Sequence, residues 1–190
     1  MKKIIAGVDE VGRGSLIGPV YAAAVIFKKK IDKSKIKDSK KLTKKNREIL
    51  EKYIKKNSYW STGSASLKEI EKLNILNASL LAMKRAIIKL NKKSSYVLID
   101  GNKIPEIKNY NLKCIIKGDE KIPQISAASI IAKVTRDKLI KKMSKKFTKY
   151  AWDKNAGYGT KFHLEAIKKF GITIYHRKKF GPIHNILSPN

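Results

Sequence analysis

An apolar run that is typical of a buried strand ends in an acidic residue at three places in this chain. These runs are residues 4–8 before Asp9, 96–99 before Asp100 and 115–116 shortly before Asp119. In an open α/β sheet, ligands bind outside the carboxyl ends of the strands, so acids that follow adjacent parallel strands would converge at one edge. The pattern therefore predicts an α/β fold with an acidic site at the ends of its strands.

The periodicity of the remaining sequence predicts the order of the elements. Strand-like runs lie at 3–9, 20–27, about 59–65, 95–100 and 112–117, and helical spacing of apolar residues covers 43–56, 76–90, 123–147 and 160–171. Because the early strands follow one another closely and helices separate the later ones, we expect a mixed five-stranded sheet flanked by helices. It would be an antiparallel meander followed by parallel strands, with a helical C-terminal part. Residues 28–41 are predicted to be a lysine-rich loop, and 171–190 show little periodicity.

The charge of the chain is strongly positive. Its 190 residues include 44 lysines and arginines against 15 acids, which gives a formal net charge of +29. Such an excess favours a polyanionic partner, because lysines that neutralise phosphates release condensed counterions. Only five of the 44 are arginines, so part of the excess also fits a general lysine bias of the genome. Nucleic acid is the favoured partner.

Length, cysteine content and hydropathy narrow the class of protein further. A chain of this length with 42% hydrophobic residues fits one domain, which we expect to span 1–190. The single cysteine, Cys114, rules out an internal disulfide and indicates a reducing compartment. No run of about 18 apolar residues is present, as a membrane helix would need. We therefore expect a cytoplasmic monomer that works without a membrane.

Four acids are candidates for the site: Asp9, Glu10, Asp100 and Asp119. Clustered carboxylates repel one another unless divalent cations bind between them, and all-oxygen ligands select hard ions such as Mg²⁺ or Mn²⁺. Two such ions about 4 Å apart can activate a water and stabilise the leaving oxygen when a phosphodiester is hydrolysed. Any one acid alone is more simply a helix cap, a turn residue or half of a surface ion pair, but three strand ends together favour a cluster.

The acid pair at Asp9 and Glu10 has a geometric condition. Neighbouring side chains on a regular strand point to opposite faces of the sheet, so both can serve one site only if the strand ends or bulges there. The run Gly12-Arg13-Gly14 that follows allows the backbone to approach a ligand closely and offers a guanidinium suited to phosphate. Alone, this run is typical of a turn, but directly after the acid pair it favours a binding loop.

With these residues assembled, the chain resembles the ribonuclease HII family, the prokaryotic type 2 ribonucleases H. The resemblance runs nearly end to end, and its motifs are very specific as a set. They are Gly7-Val8-Asp9-Glu10-Val11-Gly12-Arg13-Gly14, Gly18-Pro19-Val20, Asp38-Ser39-Lys40-Lys41-Leu42, Ile99-Asp100-Gly101-Asn102, Lys117-Gly118-Asp119, residues 126–134 with Arg136-Asp137, and Gly157-Tyr158-Gly159-Thr160 with His163. Ser126 stands where the family more often has alanine and Lys179 where a serine is common, and neither change touches the acids.

The resemblance implies a ribonuclease H fold and a metal-dependent endoribonuclease. Such an enzyme hydrolyses the RNA strand of RNA·DNA hybrids and incises duplex DNA on the 5′ side of an embedded ribonucleotide, leaving 3′-hydroxyl and 5′-phosphate ends. The implied catalytic and metal-binding carboxylates are Asp9, Glu10, Asp100 and Asp119. The loop Gly12-Arg13-Gly14 is implied to read the ribose 2′-hydroxyl through its backbone, and Tyr158 to pack at the RNA–DNA junction.

Several other polar residues have more than one interpretation. The cluster Asp38-Ser39-Lys40-Lys41 is either a capping turn or a substrate contact in which Lys40 or Lys41 touches a phosphate. Asp137 is interpreted as half of a structural ion pair rather than as a fifth catalytic acid. The three histidines are interpreted as packing or capping residues, because their spacing fits no zinc pattern.

Two rival functions share part of this pattern. A non-catalytic, basic nucleic-acid-binding protein would suit the composition but gives no reason for acids at three strand ends. A transposase- or resolvase-like nuclease that cuts DNA would share the acids but has no need of a ribose-reading loop. A duplex with one embedded ribonucleotide, compared with its all-DNA twin, separates the three functions.

Overall fold

A computed structural model of the chain describes residues 3–28, 31–32, 34–36 and 42–188. The strands are β1 (Ile5–Val11), β2 (Val20–Phe27), β3 (Ser58–Ala65), β4 (Tyr96–Asp100) and β5 (Leu112–Ile115). The α-helices are α1 (Lys44–Lys56), α2 (Leu67–Ile88), α3 (Gly118–Lys121), α4 (Pro123–Ser144), α5 (Trp152–Asn155), α6 (Lys161–Phe170) and α7 (Gly181–Leu187). Short 3₁₀ turns lie at Ser34–Ile36 and Thr148–Tyr150.

The five strands form one mixed sheet in the order β3-β2-β1-β4-β5. β1, β2 and β3 are antiparallel neighbours, whereas β4 runs parallel to β1 and β5 parallel to β4. The central strand β1 lies so close to α4 that a Cβ at Gly7 would clash with the backbone of Gln124 and Ile125. The predicted meander followed by parallel strands is confirmed.

Helices cover both faces of the sheet. On one face α2 packs against β1 residues such as Ala6 and Val8, and on the other α1 and α4 pack against Ala23 and Val25 of β2. A third apolar cluster, centred on Trp152, joins the end of α4 to the C-terminal helices. The predicted helical C-terminal part is confirmed, and it includes α7, which lies in the stretch where the sequence shows little periodicity.

The ends of the helices follow the local sequence. Thr160 accepts a hydrogen bond from the N–H of His163 and caps α6, which ends at Gly171 with φ +75°, as predicted. The predicted helix over 76–90 is the second part of a longer helix, because Ser66 and Glu69 form a capping box that starts α2 at Leu67. None of the helices in the described part of the chain has the length and hydropathy needed to cross a membrane.

Candidate active site

Two of the acidic strand ends lie side by side. β1 and β4 pair in parallel as far as Val8 and Ile99, so Asp9 and Asp100 are the next residues on the two strands. The carboxyl ends of parallel strands share one edge of the sheet, and the negative charge of Asp100 acts on Asp9 there. The structure therefore brings these two predicted acids together.

Asp9 is almost fully buried, with 6% of its surface exposed. Its Oδ1 accepts the backbone N–H of Glu10 at 2.7 Å, and its carboxyl group also has a hydrogen bond with Ser129 of α4. Burial, and then the negative charges of Glu10 and Asp100, raise the pKa of Asp9 well above its usual value in spite of these hydrogen bonds. The ionised form of Asp9 is therefore unfavourable unless a cation binds beside it.

Glu10 follows Asp9 on a regular part of the strand. Pairing with β2 continues through Val11, so alternation directs Glu10 to the face opposite Asp9. The pairing of β1 with β4, however, ends at Val8 and Ile99. Asp100 follows directly and is close enough to raise the pKa of both Asp9 and Glu10. Burial raises the pKa of Glu10, the charge of Arg13 opposes the rise, and Asp100 adds to it. The strand neither ends nor bulges at Glu10, so the condition drawn from the sequence is not met, although the charge of Asp100 acts on both acids.

The oxygens of Glu10 are only partly satisfied. Its Oε1 lies 3.3 Å from Nη1 of Arg13, in an ion pair across one turn of the loop. Its Oε2 is buried and has no hydrogen-bond partner among the described residues. A buried carboxylate oxygen without a donor is costly, and a cation is the partner that would remove the cost.

Asp119 lies at the third strand end, one residue beyond a contact with Asp100. The N–H of Gly118, at the start of α3, donates to Asp100 Oδ1 at 2.6 Å. A Cβ at Gly118 would lie 2.6 Å from Ile125 Cδ1 and 3.3 Å from that same carboxylate oxygen, so a larger residue would have to displace the end of the Ile125 side chain. Asp119 itself is half-buried on α3.

The acids fit a hard divalent cation by their chemistry. Among the described residues, no three side chains of His, Cys, Asp or Glu are grouped closely enough to hold a metal ion as they stand. The available donors are oxygens only, one of them is the unpartnered Glu10 Oε2, and the pKa values of two acids are raised. Oxygen donors of this kind suit Mg²⁺ or Mn²⁺. We expect the carboxylates to draw together when a cation binds.

The loop after β1 adopts a conformation that only glycine allows at its first position. Gly12 has φ +92°, and a Cβ there would clash with the Arg136 side chain. Gly14 lies 3.9 Å from the Tyr158 ring when measured from an added Cβ, and the next residue, Ser15, forms a β-bridge with Tyr158. The structure therefore brings the predicted loop Gly12-Arg13-Gly14 against the predicted aromatic residue Tyr158.

Two buried arginines hold the segment between β1 and β2 from behind, and neither was among the predicted site residues. Arg136 donates to the carbonyls of Pro19 (3.3 Å), Ala156 (3.0 Å) and Ile17 (3.1 Å) and to Ser15 Oγ (2.6 Å). Arg177 donates to the carbonyls of Gly18 and Arg13, both at 2.9 Å. The sequence feature that could have pointed to them is the scarcity of arginine, since only five of the 44 lysines and arginines are arginines.

A chain of buried histidines fixes the Tyr158 loop. His163 Nδ1 lies 2.9 Å from the Tyr158 carbonyl, so this nitrogen carries the proton and donates it. His163 Nε2 then accepts from Trp152 Nε1 at 2.9 Å and lies 3.3 Å from His176 Nε2. Burial, and then the proximity of His163, lower the pKa of His176 to about 4, so the pair is neutral at physiological pH. These are packing and positioning roles.

The remaining candidates have simpler outcomes. Asp137 forms an ion pair with Lys133 at 2.9 Å, one helical turn earlier on α4, as its interpretation predicted. Lys40, with the rest of the cluster Asp38-Ser39-Lys40-Lys41, lies outside the described residues. Its contact with a phosphate stays a prediction.

Comparison with known proteins identifies the relatives of this chain. The family model for ribonuclease HII matches residues 6–182. A ribonuclease HII from Pelagibacter ubique (strain HTCC1062) is 72% identical over 185 residues, which cover 97% of this chain and 100% of the relative. Among solved structures, ribonuclease H2 from Pyrococcus horikoshii OT3 matches with a TM-score of 0.79 at 28% identity, covering 96% of each chain. Ribonuclease HII from Archaeoglobus fulgidus, solved in complex with PCNA, matches with a TM-score of 0.73 at 26% identity, covering 93% of this chain and 95% of that one.

Proposed function

The chain belongs to the ribonuclease HII family and is a ribonuclease H enzyme, and we propose that it hydrolyses the RNA strand of RNA·DNA hybrids and incises duplex DNA 5′ to embedded ribonucleotides. The products would carry 3′-hydroxyl and 5′-phosphate ends. The enzyme would act in the cytoplasm, as a single domain over 1–190 and as a monomer. Its nucleic-acid substrate agrees with the net charge of +29.

The observation that carries this proposal is the set of carboxylates at adjacent strand ends. Asp9 is buried and is repelled by the partly buried Glu10 and Asp100, and Glu10 Oε2 has no hydrogen-bond partner among residues 3–28, 31–32, 34–36 and 42–188. We propose that these three and Asp119 hold two Mg²⁺ or Mn²⁺ ions. When bound, the ions supply an activated water and a charge that stabilises the leaving oxygen.

The chain's own residues would position the scissile phosphodiester over the acids. Arg13, about half exposed and tethered to Glu10, is placed to meet a phosphate beside the carboxylates. The backbone of Gly12-Arg13-Gly14 would read the ribose 2′-hydroxyl, the group that distinguishes RNA from DNA. Arg177 donates to the Arg13 carbonyl of this loop, and Arg136 donates to the Ile17 carbonyl that follows it, so the chain itself supports the loop before substrate arrives.

Tyr158 would help to select the phosphodiester bond that is cleaved. Its ring lies next to the loop and has Arg136 Cζ 5.8 Å and Lys133 Nζ 5.9 Å from its centre. An aromatic side chain in this position can stack on a sugar or base at the RNA–DNA junction. Lys40 would contribute a further phosphate contact.

The test offers the enzyme a duplex with one embedded ribonucleotide and its all-DNA twin, each with Mg²⁺ and with Mn²⁺. We expect cleavage of the first duplex only, at the 5′ side of the ribonucleotide, and extension of the product by a DNA polymerase would show the 3′-hydroxyl. Cleavage of both duplexes would favour a DNA nuclease. Cleavage of neither would favour a non-catalytic binding protein.

A further inference from the structure

Arg177 is a buried cation that the chain satisfies only in part. The residue is 1% exposed, and its Nε and Nη1 donate to the Gly18 and Arg13 carbonyls. Its Nη2 is buried and has no hydrogen-bond partner within the described part of the chain. Burial, and then the charge of Arg136, lower the pKa of Arg177 to about 9, so the group still carries its charge at neutral pH.

The same side chain lines a cavity of about 540 Å³ between α2 and the segment that leads into α7. Lys72 and Lys179 also line this cavity, against a single acid, Glu71. Lys179 Nζ donates to the Glu71 carbonyl at 3.2 Å, a contact that keeps its ammonium group beside the cavity. The two lysines outweigh the one acid, so the lining carries a net positive charge in addition to the buried guanidinium of Arg177.

A helix start faces this cavity as well. α2 is kinked at Asn74, which has φ 66° and ψ 169°, and Asn74 Oδ1 accepts the N–H of Asn77 at 3.1 Å as an N-cap does. A second helical segment of 14 residues then runs from Ile75 to Ile88. The N–H groups of Ile75 and Leu76 have no acceptor inside this segment, and the start of a helix favours an anion. Asn74 and Ile75 line the cavity.

We propose that this cavity, which we name the α2 pocket (Arg177, Lys72, Lys179 and the helix start at Asn74 and Ile75), binds a phosphate group. In the working enzyme the group would be a backbone phosphodiester of the bound duplex, an assignment of source that rests on the proposed function. Arg177 lines the pocket, and its Nη1 donates to the Arg13 carbonyl. A phosphate in the α2 pocket would therefore stabilise the same arginine that fixes the ribose-reading loop.

The experiment compares two variants with the same change of charge. Lys72→Gln/Lys179→Gln removes two cations of the α2 pocket. Lys92→Gln/Lys93→Gln removes two exposed lysines just before β4, at the end of the strand that lies away from the acids. The dissociation constant of an RNA·DNA hybrid is measured in EDTA, where no cleavage occurs, over a series of salt concentrations. We expect the slope of log Kd against log salt to fall by about one for the first variant, the effect of one lost phosphate contact, and less for the second.

A second measurement identifies the source of the phosphate. Inorganic phosphate is titrated into ¹⁵N-labelled protein against sodium chloride of equal ionic strength, and the amide signals of Ile75 and Leu76 are followed. Phosphate-specific shifts that Lys72→Gln/Lys179→Gln abolishes, together with the lowered slope, support the proposal. Shifts without a change of slope would overturn the duplex as the source, and equal behaviour of the two variants in both measurements would overturn the site. Tight hybrid binding without cleavage in Mg²⁺ would instead refute the proposed function. The comparison of the two variants would still test the α2 pocket, because it measures binding and not cleavage.

Discussion

The molecule contains two groups of buried charges of opposite sign, and the chain treats them differently. Asp9, with the partly buried Glu10 and Asp100 beside it, lies at the strand ends. Arg136 and Arg177 lie behind the loop after β1, and of these two Arg136 is the one whose nitrogens are all bonded, since Arg177 Nη2 has no partner among the described residues. Each Arg136 nitrogen donates to a carbonyl or hydroxyl oxygen of the chain. The acids instead repel one another, and one Glu10 oxygen has no hydrogen-bond partner in the part of the chain that the structure describes.

This difference separates a structural charge from a functional one. A buried charge whose hydrogen bonds are all made within the chain stabilises one arrangement of the backbone. A buried charge that lacks such partners is destabilising by itself and gains its partner from a ligand. Removing an acid should therefore abolish catalysis and spare the fold, whereas removing an arginine should first cost stability.

The largest effect is expected from Asp9→Asn. Cleavage should fall by at least about 1,000-fold, which corresponds to about 4 kcal/mol of lost transition-state stabilisation. Stability at neutral pH should stay the same or rise. Because burial raises the pKa of Asp9, the folded state holds its proton more tightly than the unfolded chain, and the ionised carboxylate opposes folding as the pH increases.

Cleavage rates and the Tm with and without Mn²⁺ check this prediction. Mn²⁺ should raise the Tm of the natural sequence and have little effect on Asp9→Asn. The matched control is Asp137→Asn, which removes an acid that is already paired with Lys133 and should cost about 1 kcal/mol or less. A variant Asp9→Asn that cleaves at a near-normal rate would remove this residue from the site.

The second effect tests the arginine side. Arg136→Met should lower the free energy of unfolding by about 3 kcal/mol, because one buried and two partly buried carbonyls lose their donor at about 1 kcal/mol each. Arg47→Met is the matched control, since Arg47 donates to one carbonyl, that of Leu42. Urea unfolding of the two variants measures the difference. Equal losses would mean that the Arg136 hydrogen bonds contribute no more than the single, partly buried one of Arg47.

The positions of the strand-end acids could be predicted from the sequence better than those of the two buried arginines. Asp9 and Asp100 each follow an apolar run, and that local pattern is enough to place them at the ends of adjacent parallel strands. The antiparallel early strands and the parallel later ones follow from the spacing of the elements in the same way.

The basic side depends on contacts between residues far apart in the chain. Arg177 reaches Arg13 across 164 positions, and Arg136 reaches Ser15 across 121. No periodicity encodes such pairs, and the signal that was available, the scarcity of arginine in a lysine-rich chain, does not say which backbone atoms the arginines bind. The capping box at Ser66 and Glu69, by contrast, is readable in the sequence and would have given the start of α2.

The smallest effect is expected where the two regions meet, at Tyr158. Its backbone carbonyl accepts from His163, while its half-exposed ring lies over Arg136 and faces the loop. Tyr158→Ala keeps the backbone contact and removes the ring. Stacking on an aromatic ring contributes about 1–3 kcal/mol per base, so incision at a single embedded ribonucleotide should fall about tenfold with little change in Tm.

Tyr158→Phe separates the ring from its hydroxyl, and a stacking role requires that this variant incise almost normally. If Tyr158→Ala lowers the Tm and the incision rate together, the ring supports the fold, as the buried arginines do, and has no separate role in catalysis. If it lowers incision alone, Tyr158 belongs with the acids, as a residue whose partner is the substrate. Incision and a Tm both equal to those of the natural sequence would remove both roles, because neither the junction nor the packing on Arg136 would then depend on the ring.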